Sequence, residues 1–470
     1  MGIIHTKSNL ENLIFRNQRI LLLQGPIGPF FKNFGDWLRL DHHKTVFKLN
    51  FNHGDEVYYP QNIHNTFAYR DTYQAFPNFL AGFISENQID AVVCFGDTRP
   101  YHVTAKQVAD KFGLSFWVFE EGYFRPFYVT LEQNGVNAFS TLPREASFFE
   151  NKLASFTQQT YQAPPAVKGG FMPMAKCAVR YYWASGSKRK LYPHYIHHRC
   201  SSISNYIRSW MISGIKRAAY AFKDRKFSEE VKDGKYGKFY ILPLQVFNDS
   251  QVRVHSDFSS VRNFLLHVLA SFATHAPKDI NLIVKHHPMD RGFTDYRKTI
   301  DQFIRQHPKL EDRVFYVHDA PLPVFLRHGI GMITLNSTSG ISALIHNMPV
   351  KVLGRANYDI PGITFQGCLA EFWKRPTPPD PKLFHAYRMY HINITQINGN
   401  FYSTVNFPEI FDNTLPSIHT GEKATLSWPV PIYENLQISS PSPLHKTSSH
   451  YPEKKGLHNV SIRNIHSTSK

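Results

Sequence analysis

Four short clusters carry side chains able to do chemistry, and each follows a run of β-forming residues. The first is Phe119-Glu120-Glu121-Gly122-Tyr123-Phe124-Arg125-Pro126. Two adjacent carboxylates at a strand end are poor core residues, because a buried acid needs a partner. In a cleft, like-charge crowding raises one pKa and readies that group for proton transfer or attack. A surface turn with two solvated acids is the alternative. The second cluster, Phe95-Gly96-Asp97-Thr98-Arg99-Pro100, offers Asp97 where an α/β cleft presents side chains to a ligand. Asp97 as the N-cap of the next helix is the competing reading.

The third cluster is Lys285-His286-His287-Pro288-Met289-Asp290-Arg291-Gly292. Lys285 and the two histidines suit a phosphate or a departing anion. Zinc is discounted, since adjacent His side chains diverge on an extended chain and no third ligand is close in sequence. The fourth is Asn336-Ser337-Thr338-Ser339-Gly340, where hydroxyls and free amides open a helix. That arrangement can hold phosphate, and ordinary Ser/Thr capping is the alternative. Neither GxGxxG nor GxxxxGK[ST] occurs, which argues against a dehydrogenase or a P-loop NTPase. No GxSxG elbow occurs either.

These clusters need strands to present them. Apolar runs at 20–23, 46–49, 91–95 and 116–119 alternate with helix-length segments around 30–40, 76–87 and up to Gly113. The pattern stops near Pro143 and resumes with strands at 239–242, 282–284, 314–317, 332–335 and 350–353. Helices are expected near 259–273, 296–306 and 339–347. Continuous apolar strands separated by helices indicate βαβ units and parallel sheets. The fold expected is α/β, with two doubly wound Rossmann-type domains facing across a cleft. The partition expected is a first domain at 1–150, a basic linker at 151–235, a second domain at 236–410 and a disordered tail at 411–470.

Of the 470 residues, 42% are hydrophobic and 19% charged, which excludes a largely disordered chain. Lys and Arg number 53 against 36 Asp and Glu, a net charge of +17 that favours anionic partners. Cys94, Cys177, Cys200 and Cys368 form no CxxC pair, so a disulfide scaffold is ruled out and a reducing compartment is expected. No apolar run approaches the ~20 residues of a membrane span. The N-terminus lacks a signal-peptide layout, while Met1 to Thr6 matches the loose myristoylation pattern, one short enough to recur by chance. A soluble cytoplasmic protein able to touch a membrane is the expectation. Between Lys176 and Lys226 there are twelve Lys or Arg and one acid, Asp224. A helix over 203–222, with Trp210, Met211, Ile215 and Tyr220 beside Arg208, Lys216 and Arg217, suits an anionic lipid interface. A solvated interdomain linker is the alternative.

Taken together, the segments resemble the KpsS/LipB family of capsule polysaccharide biosynthesis proteins. The matching stretches are Leu23 to Pro26, Phe51 to Asp55, Cys94 to Pro100, Phe119 to Tyr123 and Gly135 to Asn137. They continue with Pro243 to Gln245, Asp249 to Gln251, His287-Pro288, Asn336 to Gly340, Gly354 to Gly362 and Phe372-Trp373. The resemblance implies a GT-B-like, retaining β-Kdo transferase that takes Kdo from CMP-Kdo and starts the capsule linker on a phosphatidylglycerol-type lipid. It would act as a peripheral protein on the anionic inner face of the inner membrane, beside other capsule synthesis and export proteins. On this reading, Glu121 ranks first among the catalytic candidates Glu121, Glu120 and Asp97. His287, Lys285, Ser337, Thr338, Ser339 and Gln245 would bind the donor. Gln24, Arg99 and Arg125 would contact acceptor or sugar. No cofactor or metal is required, and the sequence contains no DxD to bind one. A non-catalytic, membrane-associated assembly factor of capsule synthesis and export is the alternative function. Nucleic-acid binding is set aside because no motif matches a nucleic-acid module.

Overall fold

The computed structural model describes residues 7–156, 161–197, 203–247, 252 and 254–408, all within one compact unit. The Asp249–Gln251 stretch, Cys200, the Met1–Thr6 pattern and the tail at 411–470 lie outside the described residues.

The first sheet collects β1 (Arg19–Leu22), β2 (Thr45–Asn50), β3 (Thr66–Ala68), β4 (Ala91–Phe95), β5 (Ser115–Glu121) and β6 (Tyr128–Gln133). The second collects β7 (Lys238–Pro243), β8 (Ile280–Lys285), β9 (Val314–Val317), β10 (Gly331–Thr334) and β11 (Val350–Val352). A last short strand, β12 (Gln396–Asn398), returns to the first. The strand orders are β12-β6-β5-β4-β1-β2-β3 and β11-β10-β7-β8-β9. Strands β1 to β5 run parallel, as do β7 to β11, whereas β6 and β12 pair antiparallel.

The apolar runs are continuous because each parallel sheet is covered on both faces. Leu21, Leu23, Val92 and Cys94 pack into one core, while Ile20, Leu22, Ala91 and Val93 pack into another on the opposite face. Each such leucine, isoleucine or valine contributes roughly 1.5–3 kcal/mol on burial. In the second sheet, Ile241 and Ile283 face one way, and Tyr240, Leu242 and Leu282 face the other.

Both sheets share one doubly wound order. The chain reverses direction between β1 and β4 in the first sheet, and between β7 and β10 in the second. Ligands bind outside the carboxyl ends of strands at such switch points.

Two features depart from the expected partition. β12 lies beyond the second domain's other strands in sequence, yet it pairs with β6 in the first sheet. Tyr123, Phe124 and Phe149 share a core with Phe325, Ile341 and Tyr358, so the halves are packed together. The basic helix also runs on to Lys232, ten residues past the expected end, as Ile203–Lys232. Asp224 explains its seating: its Oδ2 accepts from the amides of His318 and Asp319 at 2.7 and 2.6 Å, at the carboxyl end of β9.

Candidate functional site

The carboxylate side is built by β4, β5 and the turn after β6. Gly96 takes φ +71°, a left-handed value that suits glycine, and so ends β4 sharply. Asp97 Oδ2 then accepts from the Val136 amide at 2.9 Å, while the Asn137 amide donates to the Tyr123 hydroxyl at 2.8 Å. The Gly135-Val136-Asn137 turn thus fixes an acid from one strand and a tyrosine from another. A Cβ at Gly122 would lie 2.0 Å from the Tyr128 carbonyl oxygen, so only glycine fits between the two carboxylates and Tyr123.

Successive strand residues point to opposite faces, so Glu120 and Glu121 diverge. Glu120 Oε1 accepts from the Glu121 amide at 2.9 Å. Burial pushes its pKa up to about 7, with the charges of Glu121 and Asp97 adding to the rise. Like-charge crowding was the cause expected from sequence; desolvation is the larger one. Burial likewise lifts Asp97 to about 6, against the lowering effect of the Val136 amide. Glu121 receives a hydrogen bond from the Tyr402 hydroxyl at 3.3 Å.

Behind them, Gln24 follows β1 and Arg99 follows β4. Arg99 Nη1 donates to Gln24 Oε1 at 3.0 Å and to the Gly25 carbonyl at 3.2 Å. Gln24 Nε2 faces Asp55, Tyr181 and Tyr195 at 3.0 to 3.3 Å. Lys48 is buried beside them with its pKa pushed down to about 8, although the Asp55 charge opposes the shift. Gln24 and Arg99 are therefore joined in one polar network at the first switch point.

The cationic side sits at the carboxyl ends of β7, β8 and β10. Lys285 closes β8, and burial lowers its pKa to about 8. His287 Nδ1 accepts from the Met289 amide at 3.1 Å, which leaves the ring proton to Nε2 as a donor. Burial, reinforced by the charges of Lys285 and Arg125, pushes His287 down to about 3. An incoming phosphate would offset that unfavourable charge. Arg291 is paired with Asp319 nearby.

Gln245 Nε2 donates to Asn336 Oδ1 at 2.9 Å across the second switch point, while its buried Oε1 finds no partner among the described residues. Ser337 Oγ accepts from the Ser339 amide at 3.2 Å and meets the Ser339 hydroxyl at 3.2 Å, so the capping reading holds in part. Thr338 occupies the cap of the helix Ser339–Ile345 without a side-chain capping bond.

Arg125 connects the two sides. Its charge favours the ionised form of Glu120 and also disfavours protonation of His287. Arg125 itself is held by its own turn, its Nε donating to the Gly122 carbonyl at 3.4 Å.

Sequence reasoning missed several groups here. Glu132, on β6, is buried against Ser140 and Tyr123, with burial lifting its pKa to about 7. Its alternation with Thr130 and Tyr128 on one strand face was the available signal. Tyr402 and Tyr181 gave no local signal, because they meet Glu121 and Gln24 from 281 and 157 residues away.

A family model described as "Capsule polysaccharide biosynthesis protein" matches residues 90–402. The capsule polysaccharide modification protein LipB of Neisseria meningitidis is 61% identical over 402 residues, spanning 86% of this chain and 96% of its own. The capsule polysaccharide export protein KpsS of Escherichia coli is 39% identical over 396 residues, spanning 84% and 100%. Among solved structures, Thermosulfurimonas dismutans KpsC, beta Kdo 2,7 transferase, aligns at 12% identity and a TM-score of 0.38, covering 79% of this chain and 89% of its own. With the family model covering most of the chain and relatives alike along nearly their full length, the protein belongs to the KpsS/LipB family of capsule polysaccharide biosynthesis proteins.

Proposed function

We propose that the chain is a retaining glycosyltransferase that moves Kdo from CMP-Kdo onto a hydroxyl of a phosphatidylglycerol-type lipid, starting the β-Kdo linker of a capsular polysaccharide. The observation that carries this reading is that the Arg125 charge bears on both Glu120 and His287, one at the carboxyl end of a strand in each sheet. In transfer, the bond from sugar C2 to the phosphate oxygen breaks and CMP departs with the electron pair. Lys285, the Nε2–H of His287 and the hydroxyls of Ser337, Thr338 and Ser339 supply the donors and charge that a leaving phosphate needs. A bond then forms between C2 and the acceptor oxygen, whose proton passes to a carboxylate.

Glu121 is assigned to the sugar, and Glu120, backed by Asp97, to the proton. Retention requires either a covalent glycosyl–carboxylate intermediate or a front-face route, and a carboxylate nucleophile at Glu121 would serve the first. CMP-Kdo is a substrate, and no resident cofactor enters the scheme. Gln24, Arg99 and Arg125 would face the lipid phosphate or the sugar. The enzyme would work as a peripheral protein on the inner face of the inner membrane, beside its capsule-export partners.

The test uses purified protein, CMP-Kdo generated in situ and a fluorescent lysophosphatidylglycerol acceptor, with products weighed by mass spectrometry. A product heavier by one Kdo, absent with Glu121→Gln, supports the reading. A folded protein that neither binds CMP nor makes product contradicts it. The scaffold reading draws on the exposed basic helices and separates cleanly. It requires Glu121→Gln to preserve capsule assembly in cells.

A further inference from the structure

Residues 176–226 carry twelve Lys or Arg and a single acid, and that acid is turned inward. Asp224 is buried and spends its carboxylate on the His318 and Asp319 amides. Among the described residues of this segment, every side-chain carboxylate is thus withdrawn from the surface, while Lys176, Arg180, Arg208, Arg217 and Lys223 stand exposed.

Two helices display apolar side chains among these charges. Met172, Val179 and Trp183 follow helical spacing along Phe171–Ser187, and Met211, Ile215 and Phe222 do so along Ile203–Lys232. All six are between 61% and 87% exposed. Scattered apolar side chains are normal on a surface, but two spaced stripes mark an interaction site. Phe171 meets Trp210 at 5.5 Å between ring centroids, joining the helices where the stripes begin.

The opposite face of the first helix is held by polar bonds. Tyr181 Oη donates to Asp55 Oδ1 at 3.0 Å, Ser185 Oγ to Asn52 Oδ1 at 2.9 Å, and Tyr58 Oη to the Cys177 carbonyl at 3.0 Å. One helix therefore faces outward with apolar groups and inward onto the Gln24–Arg99 network.

We propose that this two-helix face docks on an anionic lipid bilayer, the apolar stripes entering the headgroup boundary and the cations meeting lipid phosphates. A second copy of the chain is a poorer occupant, because it would oppose like charges. No helix among the described residues is long and apolar enough to cross a membrane, so the helices would lie in the interface plane. The purpose of the docking rests on the lipid-acceptor reading: it would bring the acceptor side of the cleft to headgroup level.

The full chain should sediment with vesicles of phosphatidylcholine mixed with phosphatidylglycerol, and far less with phosphatidylcholine alone. The double variants Val179→Glu/Trp183→Glu and Ile215→Glu/Phe222→Glu should each lose vesicle affinity at least about tenfold. Lys176→Gln/Arg180→Gln should weaken the preference for phosphatidylglycerol. All these positions are exposed, so thermal melts should match the wild type. On a water-soluble short-chain acceptor the variants should turn over normally. Glutamate variants that sediment like the wild type overturn the proposal, as does a stable dimer in light scattering that the same substitutions dissolve. Wild-type protein that binds vesicles but shows no transfer to any acceptor would sink the transferase reading alone.

Discussion

The two halves of the molecule solve the same topological problem with opposite chemistry. Each places a glutamine after its first strand and joins it to a residue after its fourth: Gln24 with Arg99 at 3.0 Å, Gln245 with Asn336 at 2.9 Å. In the first half the amide nitrogen is saturated by Asp55, Tyr181 and Tyr195. In the second half the amide oxygen is buried and unpartnered among the described residues, and burial disfavours the charged forms of Lys285 and His287 at the end of the neighbouring strand β8. A closed polar network fixes a scaffold, whereas a lysine and a neutral imidazole N–H held out of water are primed for an anion. The first half gathers carboxyl groups at the ends of β4 and β5 and the second a lysine and a histidine at the end of β8, the division that the proposed transfer would use.

The comparison breaks most readily at Glu121. Glu121→Gln should cut transfer at least about a thousandfold with CMP affinity unchanged, read by turnover beside calorimetry. A parallel loss of CMP binding would place Glu121 on the donor side instead.

Next in size is the pH response of Glu120. Its folded pKa of about 7 lies above the ordinary 4.5, so the stability linked to its proton is full below about 4.5 and is lost as pH rises through about 7. Glu120→Gln never ionises. Its stability relative to wild type should therefore rise between pH 5 and pH 8, by about 3 kcal/mol at most, in denaturant melts. A constant difference across that range would mean that Glu120 is not desolvated.

Lys285→Ala should weaken CMP binding by about tenfold to a hundredfold, the worth of a charge-assisted hydrogen bond, with little change in melting temperature. The smallest effects sharpen the glutamine contrast. Gln24→Ala should destabilise the fold by about 1–2 kcal/mol, because Asp55 and Tyr181 lose a partner, while Gln245→Ala should change stability by less than about 0.5 kcal/mol and weaken CMP binding. Equal stability losses would erase the distinction between the two switch points.

Much of this architecture was legible in the residues. The runs at 91–95 and 314–317 coincide with β4 and β9, because strands covered on both faces read as unbroken apolar segments. The clusters after β4, β5, β8 and β10 fall at carboxyl ends, as βαβ repetition requires. β6 escaped notice because it buries Thr130 and Glu132 among its apolar residues, so its pattern reads as a polar turn. β12 was invisible for a different reason: three residues form a strand only because β6 awaits them more than 260 positions away. The role of Tyr181 depends on the same kind of long-range closure, so the basic helix at 171–187 read as linker when its inner face is tied to Asp55. Which of two adjacent carboxylates is desolvated also depends on neighbouring strands, and the motif alone was silent on it.

If carboxyl groups of one half and the lysine and histidine of the other form a single transfer site, loss of one carboxylate must abolish transfer. The most direct measurement is the mass-spectrometric transfer assay, run on wild type and Glu121→Gln with saturating CMP-Kdo and a lysophosphatidylglycerol acceptor. The account predicts a product one Kdo heavier from the wild type and none from the variant. A variant that forms the product at the wild-type rate would contradict it.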